Sequence, residues 1–426
     1  MFGMDVGVAL NYSCWDFLFT FGGLAFFLVD IALDAWAVVT FYQEKEYFSL
    51  GLLLLFLLGS SALAQVYSWL WYHYDNYETR TKVENCLNPL SLKILHVLQL
   101  GVYFRYAGVM EASVRSFISR SRDPEGVVVY LSHDLSMLRL IETFSESAPQ
   151  LVLMLAIILR RGKPDPMTML KAVGSASAIA CSVTMYHRSL RSFLSDKHQQ
   201  QIRSSLVYFL WNLLLIAPRL AALSLFASVL PCFVFTHFLC SWMILFFCAW
   251  RAKTTFMDSA GGEWLFRATV GLIWYFSWFN VVEGQTRYRS LLYHLYIMFD
   301  IVLLCGLWCW QVHREPPYFD ITLLHAIITS VIIILLFIFG ILVKGLYYTC
   351  CHPKHEVKES VSEGSPSGLE VVTFHSDTVD LTEVNGHDED IQSDSMFRSM
   401  PSAPEPAPTQ KRENKRMRKL AENFYS

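Results

Sequence analysis

Ionisable side chains lie inside several long apolar stretches of this 426-residue chain. Asp30 and Asp34 are one helical turn apart in the first stretch. Arg139, Glu142 and Glu146 share a helical face, because they are spaced by three and four residues. A charge at the centre of a bilayer costs at least about 2.5–3.5 kcal/mol, so it needs a partner or water beside it. These residue types at this spacing predict a polar region inside apolar surroundings.

Further charges extend this set. Asp134 precedes the first group closely in sequence, Asn212 and Arg219 are seven residues apart and so face one way, and Asp300 lies in a later stretch. Two interpretations are open: a track along which a zwitterionic or anionic head group moves while its tails stay in lipid, or buried ion pairs that lock helices together. Since acids outnumber bases, proton- or cation-coupled transport also fits.

The elements that hold these residues are apolar helices. The chain is 54% hydrophobic and only 17% charged, whereas soluble domains are about 25% charged, which predicts a polytopic membrane protein. A net charge of −3 argues against a nucleic-acid partner. Six runs are long enough to span a bilayer, and they cover 17–42, 48–74, 206–230, 232–250, 291–310 and 321–348. Four more contain charges and are ambiguous, and they cover 92–112, 127–159, 167–186 and 264–282.

Basic residues flank the run 167–186 on both sides, with Arg161 before it and Arg188 after it among others. A simple span does not satisfy the positive-inside tendency at both ends. The pattern therefore predicts that this run, or its predecessor 127–159, turns back within the membrane. The first run lacks a basic flank and a small-residue cleavage site, so we expect it to be retained as an anchor.

A proline follows an alanine inside an apolar helix twice, at Pro149 and at Pro218, and a further apolar stretch follows each time. Repeats with broken helices are common in transporter-like folds. So short a match also arises by chance in helix-rich sequence, so internal duplication and coincidence both remain open.

The composition changes after residue 351. The segment 352–426 holds nine Lys or Arg and fourteen Asp or Glu, with no long apolar run, which predicts a disordered tail. Asp377 and Asp380 frame a D-x-x-D tetrapeptide, the arrangement that an executioner caspase reads in an extended chain. The last residues, 416–425, place Met417, Leu420, Ala421 and Phe424 on one helical face, which predicts a short amphipathic helix.

Other sequence motifs are weaker indications of function. Cys350 and Cys351, at the end of the last run, are candidate palmitoylation sites, and with His352 and His355 they would alternatively offer metal ligands. The chain contains no Walker loop, nucleophile elbow, HExxH motif or paired-glycine nucleotide fingerprint. We therefore expect neither an enzyme nor a bound cofactor, and we expect no resident metal.

Several local strings together resemble the XK-related family. They cover residues 28–34, 136–144, 207–212 and 275–281, and the last three lead to residues 148–150, 217–219 and 283–284 respectively. The resemblance extends over about residues 17–350. The short N-terminus and the end of the tail are most similar to the family's apoptosis-activated phospholipid scramblases.

This resemblance implies an all-α fold of about eight transmembrane helices and two re-entrant segments in two pseudo-symmetric halves. It implies a multi-pass plasma-membrane protein with both termini cytosolic. The expected organisation consists of a short cytosolic N-terminus, a first membrane repeat, a second membrane repeat and a cytosolic regulatory tail with a terminal amphipathic helix, over residues 1–16, 17–202, 203–350 and 351–426.

The resemblance also implies ATP-independent movement of phospholipids between leaflets, which exposes phosphatidylserine in apoptosis after a caspase removes the tail. The cut would follow Asp380. Leu381 stands where caspases prefer a small residue, so Asp394, which Ser395 follows, is a second candidate.

The expected partners are phospholipids, phosphatidylserine among them, an executioner caspase and a single-pass accessory subunit. Relatives that work with a lipid-transfer partner are an alternative to those activated by cleavage. We expect the lipid pathway to use Asp30, Asp34, Asp134, Arg139, Glu142, Glu146, Arg219 and Asp300. The rival functions are a secondary transporter of a small polar solute, which would use the intramembrane acids, and a structural adaptor.

Overall fold

The apolar runs form helices, since a helix satisfies its own backbone hydrogen bonds where water is absent. The computed structural model describes residues 14–119, 127–162, 166–192, 202–281, 286–314 and 322–351. No strand occurs in these ranges. The α-helices found there, in chain order, are α1 (Cys14–Gln43), α2 (Tyr47–Tyr74), α3 (Lys82–Asn85), α4 (Pro89–Val97), α5 (Gly101–Ser119), α6 (Val127–Glu142), α7 (Ala148–Arg161), α8 (Pro166–Ser192), α9 (Ile202–Val229), α10 (Pro231–Arg251), α11 (Ala260–Phe276), α12 (Thr286–Arg314) and α13 (Leu323–Leu346).

Seven helical stretches in the described ranges are long and apolar enough to cross a membrane. They are Thr20–Gln43, Tyr47–Tyr74, Val127–Arg161, Ile202–Val229, Pro231–Arg251, Arg287–Arg314 and Leu323–Thr349. Large apolar side chains cover their outer surfaces, such as Leu28, Leu55 and Phe233, as expected where the surroundings are lipid tails. The prediction of an all-α polytopic membrane protein is confirmed.

The two runs that the flanking charges single out are unbroken helices. The stretch Val127–Arg161 is continuous, because a π-helical segment, Thr143–Ser147, joins α6 to α7. Helix α8 is also unbroken. Protein contacts satisfy the charges behind the prediction: Arg161 pairs with Glu44 and Glu46, and Arg188 is buried. A re-entrant segment in this region stays a prediction.

Two of the ambiguous runs do form shorter elements. The run 92–112 is divided between α4 and α5, and Gln99 adopts a positive φ of 62° at the junction. The ring of His96 packs so closely on Gly101 that a Cβ there would lie 2.5 Å from it, so glycine permits this junction. The run 264–282 becomes α11, which has 17 residues and ends at Phe276. A helix of that length is at the lower limit for spanning a bilayer.

Helix α9 lies at the centre of the bundle and packs against α7, α8, α12 and α13. Buried side chains lie on several of its faces, and Pro218 is inside the helix. Gly340 of α13 allows the closest approach, since a Cβ there would lie 3.0 Å from the backbone of Leu214 in α9. The division into repeats at residue 202 stays a prediction; α9 contacts helices on both sides of that boundary.

Candidate functional site

Five charged side chains of the first half converge between α1, α6 and the π segment. We call this group the acidic cluster, and its members are Asp30, Asp34, Arg139, Glu142 and Glu146. The two aspartates come from α1, Arg139 and Glu142 from α6, and Glu146 from the π segment. Their charges interact electrostatically with one another. The structure thus brings together five of the eight residues expected along the lipid pathway.

Neutral polar groups complete the acidic cluster. Gln150 Nε2, in the first turn of α7, donates a hydrogen bond to Asp34 Oδ1 at 2.7 Å. Arg139 Nη1 donates to the Tyr106 hydroxyl at 3.1 Å. The Tyr106 ring in turn stacks on Phe27, with 4.5 Å between centroids. These contacts fix the direction of the charged groups, and no local sequence pattern predicts them because they join helices far apart in the chain.

Exposure divides the acidic cluster into an inner and an outer part. Asp34 and Glu146 are buried, with 8% and 6% of their surface exposed. Asp30, Arg139 and Glu142 are only half-buried. Asp30 lies in the middle of α1, so this partly open polar surface is at mid-span. Two carboxyl groups and one guanidinium there offer partners for both a cation and an anion.

Asp134 lies apart from the acidic cluster. Its Oδ2 is 3.4 Å from Arg105 Nη1. Arg105 Nε donates to Ser68 Oγ at 2.7 Å, and its guanidinium lies 3.9 Å from the centre of the Tyr72 ring. Asp134 is 1% exposed. This network ties α2, α5 and α6 together, which matches the interpretation as a structural ion pair. The sequence shows Arg105 only as a charge in an ambiguous run and does not reveal this pairing.

His96 extends this network from α4, a helix outside the seven spans. Its Nδ1 is 2.8 Å from the backbone oxygen of Leu92, which only accepts, so Nδ1 carries the proton and donates. Its Nε2 therefore accepts from Ser68 Oγ at 2.9 Å. Burial lowers the pKa of His96 below its usual range, and the nearby Arg105 charge acts in the same direction. The imidazole is thus held neutral.

Arg219 and Asp300 form a second centre in the other half of the chain. Arg219 Nη1 is 2.5 Å from Asp300 Oδ2, and Arg219 Nε donates to the backbone oxygen of Tyr275 at 3.1 Å. His237 lies between Asp300 and Tyr275, with its Nε2 2.9 Å from Asp300 Oδ1 and its Nδ1 3.0 Å from the Tyr275 hydroxyl. The Arg219 side chain has no exposed surface. Asn212 does not join this centre, since its amide donates to the backbone oxygen of Tyr208.

The predicted tail sites Asp377, Asp380 and Asp394 lie outside the described residues, as does the terminal helix. Cys350 and Cys351 end a second π segment, Tyr347–Cys351, that continues α13, and their palmitoylation stays a prediction. Within the ranges that the structure covers, no three His, Cys, Asp or Glu side chains are placed to hold a metal ion.

An all-α bundle whose long apolar helices enclose paired and half-buried charges is a polytopic membrane protein with an intramembrane polar site. Residues 18–353 match the sequence model of a family described as XK-related protein, so the chain belongs to the XK-related family.

The chain is also similar to individual members of that family. It is 42% identical to XK-related protein 8 of Tetraodon nigroviridis over 422 residues, which cover 98% of this chain and 97% of that protein. It is 44% identical to XK-related protein 8 of Gasterosteus aculeatus, over 86% of this chain and 91% of that protein. The identity to XK-related protein 8 of Pan troglodytes is 35%, over 78% and 82% respectively.

Proposed function

We propose that the chain is a phospholipid scramblase, which moves phospholipids between the leaflets of the plasma membrane and exposes phosphatidylserine in apoptosis. Membership of the XK-related family supports the proposal. One observation carries it: Asp30, Arg139 and Glu142 remain half-buried in the middle of apolar spans. Charges that served only to lock helices would be expected to be fully enclosed, as Asp134 and Arg219 are.

The chemistry of a lipid head group matches this surface. A head group crosses hydrocarbon slowly because its polar atoms lose their hydrogen-bond partners to water. Glu142 and Asp30 would replace water around an ammonium group, and Arg139 would replace it around a phosphate. Leu28 and Val29, beside Asp30 on α1, are 56% and 54% exposed. Acyl tails would therefore stay in contact with apolar side chains while the head group passes.

Regulation belongs to the same proposal. An executioner caspase would cut after Asp380, or after Asp394, and release the cytosolic tail that holds the route closed at rest. A single-pass accessory subunit would act as a partner in the plasma membrane, and both termini would face the cytosol. The movement follows the existing lipid asymmetry, so the protein acts without an enzymatic step of its own.

Reconstitution tests the proposal. The purified full chain and a chain ending at residue 380 are placed in vesicles that hold fluorescent phospholipids in both leaflets and no ion gradient. The proposal predicts that an external quencher reaches only the fluorophores of the outer leaflet with the full chain, and those of both leaflets with the trimmed chain. A response only to an imposed ion gradient, with solute uptake, would instead favour a transporter that uses the same acids.

A further inference from the structure

A lysine in the last span has no acidic partner among the residues that the structure describes. Lys344 lies in the last turn of α13 and is half-buried. Its Nζ donates to Ser290 Oγ at 2.7 Å, lies 3.5 Å from His294 Nε2, and is 4.8 Å from the centre of the Trp211 ring. These three residues come from α12 and α9. The ammonium group therefore lies where three spans meet, among neutral neighbours only.

The hydrogen bonds leave this ammonium group available to a further acceptor. His294 Nδ1 is 2.5 Å from the backbone oxygen of Ser290, so it carries the proton and donates, and Nε2 is left as the acceptor that faces Lys344. An ammonium group has three N–H donors. Ser290 and His294 accept two of them, and the aromatic face of Trp211 attracts the charge without accepting a conventional hydrogen bond. One donor remains for an outside oxygen.

The surrounding end of the bundle is basic. Ser204, near the start of α9, contacts Tyr347, which follows α13, so α9 begins where α13 ends. The first turns of α9 and α12 contain no acidic residue. They carry exposed arginines, Arg203 and Arg287. Positive charge around a partly buried ammonium group attracts an anion and opposes a cation.

From these contacts we infer that Lys344, Ser290 and His294 form a binding site for a phosphate-bearing anionic group, supplied by the head group of an anionic phospholipid. The site lies at the end of α9, α12 and α13, and none of its residues belongs to the acidic cluster. A lipid there would keep its tails against the exposed apolar side chains of α13, such as Leu342 and Leu346. The inference concerns binding and does not depend on the proposed scrambling activity.

Ligand-dependent thermal unfolding of the full chain in detergent tests this site. Dioleoyl phosphatidylserine is titrated in mixed micelles, with phosphatidylcholine and inorganic phosphate as parallel titrations. A ligand that binds the folded state raises the unfolding temperature with its concentration. We expect a saturable rise with phosphatidylserine and a smaller one with phosphatidylcholine. A rise with inorganic phosphate equal to that with phosphatidylserine would identify free phosphate as the ligand and would overturn the assignment to a lipid.

Three variants assign the effect to Lys344. Lys344→Met should weaken the apparent affinity for phosphatidylserine about tenfold or more, since a charge-assisted hydrogen bond is lost. Lys344→Arg should restore it. Ser290→Asp keeps the lysine and gives it an internal counter-ion, so it should also weaken the apparent affinity for phosphatidylserine. This variant serves as the test if the methionine variant does not fold.

The matched control is Lys171→Met. Lys171 is also a half-buried lysine over an aromatic ring, with its Nζ 3.6 Å from the centre of the Trp36 ring, but it lies at the beginning of α8, near the opposite end of the spans. This variant should respond to phosphatidylserine like the parent chain. If Lys344→Met and Ser290→Asp also respond like the parent, Lys344 merely extends towards water from the span, and the inferred site does not exist.

Discussion

Arg219 and Asp300 meet inside the bundle at 2.5 Å, although 81 residues separate them in the chain. Arg219 lies on α9 and Asp300 on α12, so the pair joins the central helix to one of its neighbours. His237 lies within hydrogen-bond distance of both Asp300 Oδ1 and the Tyr275 hydroxyl. The burial of this centre matches the interpretation as a structural ion pair, and a role of Arg219 and Asp300 in the lipid pathway stays a prediction.

Breaking this pair on one side should destabilise the protein strongly. Arg219→Leu leaves the Asp300 carboxylate buried without its guanidinium, a change that costs about 3–5 kcal/mol. The double variant Arg219→Leu with Asp300→Leu should recover part of that loss, because no uncompensated charge remains. Unfolding in detergent measures both. Equal stability of the single variant and the parent chain would show that the pair does not hold α9 to α12.

Two glycines of α13 offer a matched comparison of helix packing. A Cβ at Gly340 would lie 3.0 Å from the backbone of Leu214, whereas one at Gly345 would meet no atom within 4 Å. Gly340→Val should therefore push α13 from α9 and lower the free energy of unfolding by about 1–3 kcal/mol. Gly345→Val makes the same chemical change without that contact and should cost less. Similar losses in both variants would contradict the close approach.

The neutral state of His96 predicts a dependence of stability on pH. Burial lowers the pKa of His96 in the folded protein, whereas an unfolded histidine titrates near about 6.5. The unfolded state then binds this proton more readily. The stability linked to neutral His96 is present above about pH 6.5 and is lost as the pH falls. His96→Gln should make unfolding temperatures decline less between about pH 7 and 5; an unchanged decline would exclude this histidine as a contributor.

Cleavage of the tail is tested in apoptotic cells. Asp380→Ala should keep phosphatidylserine in the inner leaflet if the cut follows that residue, because the tail then stays attached. Asp394→Ala is the matched variant at the second site and should leave exposure normal. If Asp394→Ala blocks exposure and Asp380→Ala leaves it normal, the caspase cuts after Asp394, which is followed by the small residue Ser395. Annexin binding at the cell surface reports either result.

Much of the fold can be predicted from the sequence, but the pairing of its charges cannot. Apolar runs at 206–230 and 232–250 nearly coincide with α9 and α10, since burial in lipid requires continuous apolar sequence. Helical spacing also placed Arg139 and Glu142 on one face. The partner of Asp134 depends on how α5 packs against α6, which local sequence does not encode.

Irregular backbone elements are likewise not predictable from local sequence. The only sequence signal of the π segment Thr143–Ser147 is Pro149, two residues after its end, and that proline also fits the internal repeat. The junction at Gln99 depends on the ring of His96 packing against Gly101. Lys344 likewise had no sequence signal beyond its place in an apolar run. Each of these features depends on tertiary contacts and not on local composition.

The central claim is that head groups pass the half-buried charges of the acidic cluster. It is tested most directly by the rate of lipid exchange in vesicles that hold the chain ending at residue 380, as parent protein and with Asp30→Asn and Glu142→Gln. The control is Glu46→Gln, which changes a half-buried acid in the turn between α1 and α2, outside the acidic cluster. We predict that the double variant folds and exchanges lipids about tenfold or more slowly, because it lacks charged hydrogen-bond partners, while the control matches the parent. Exchange at the parental rate in the folded double variant would contradict the account.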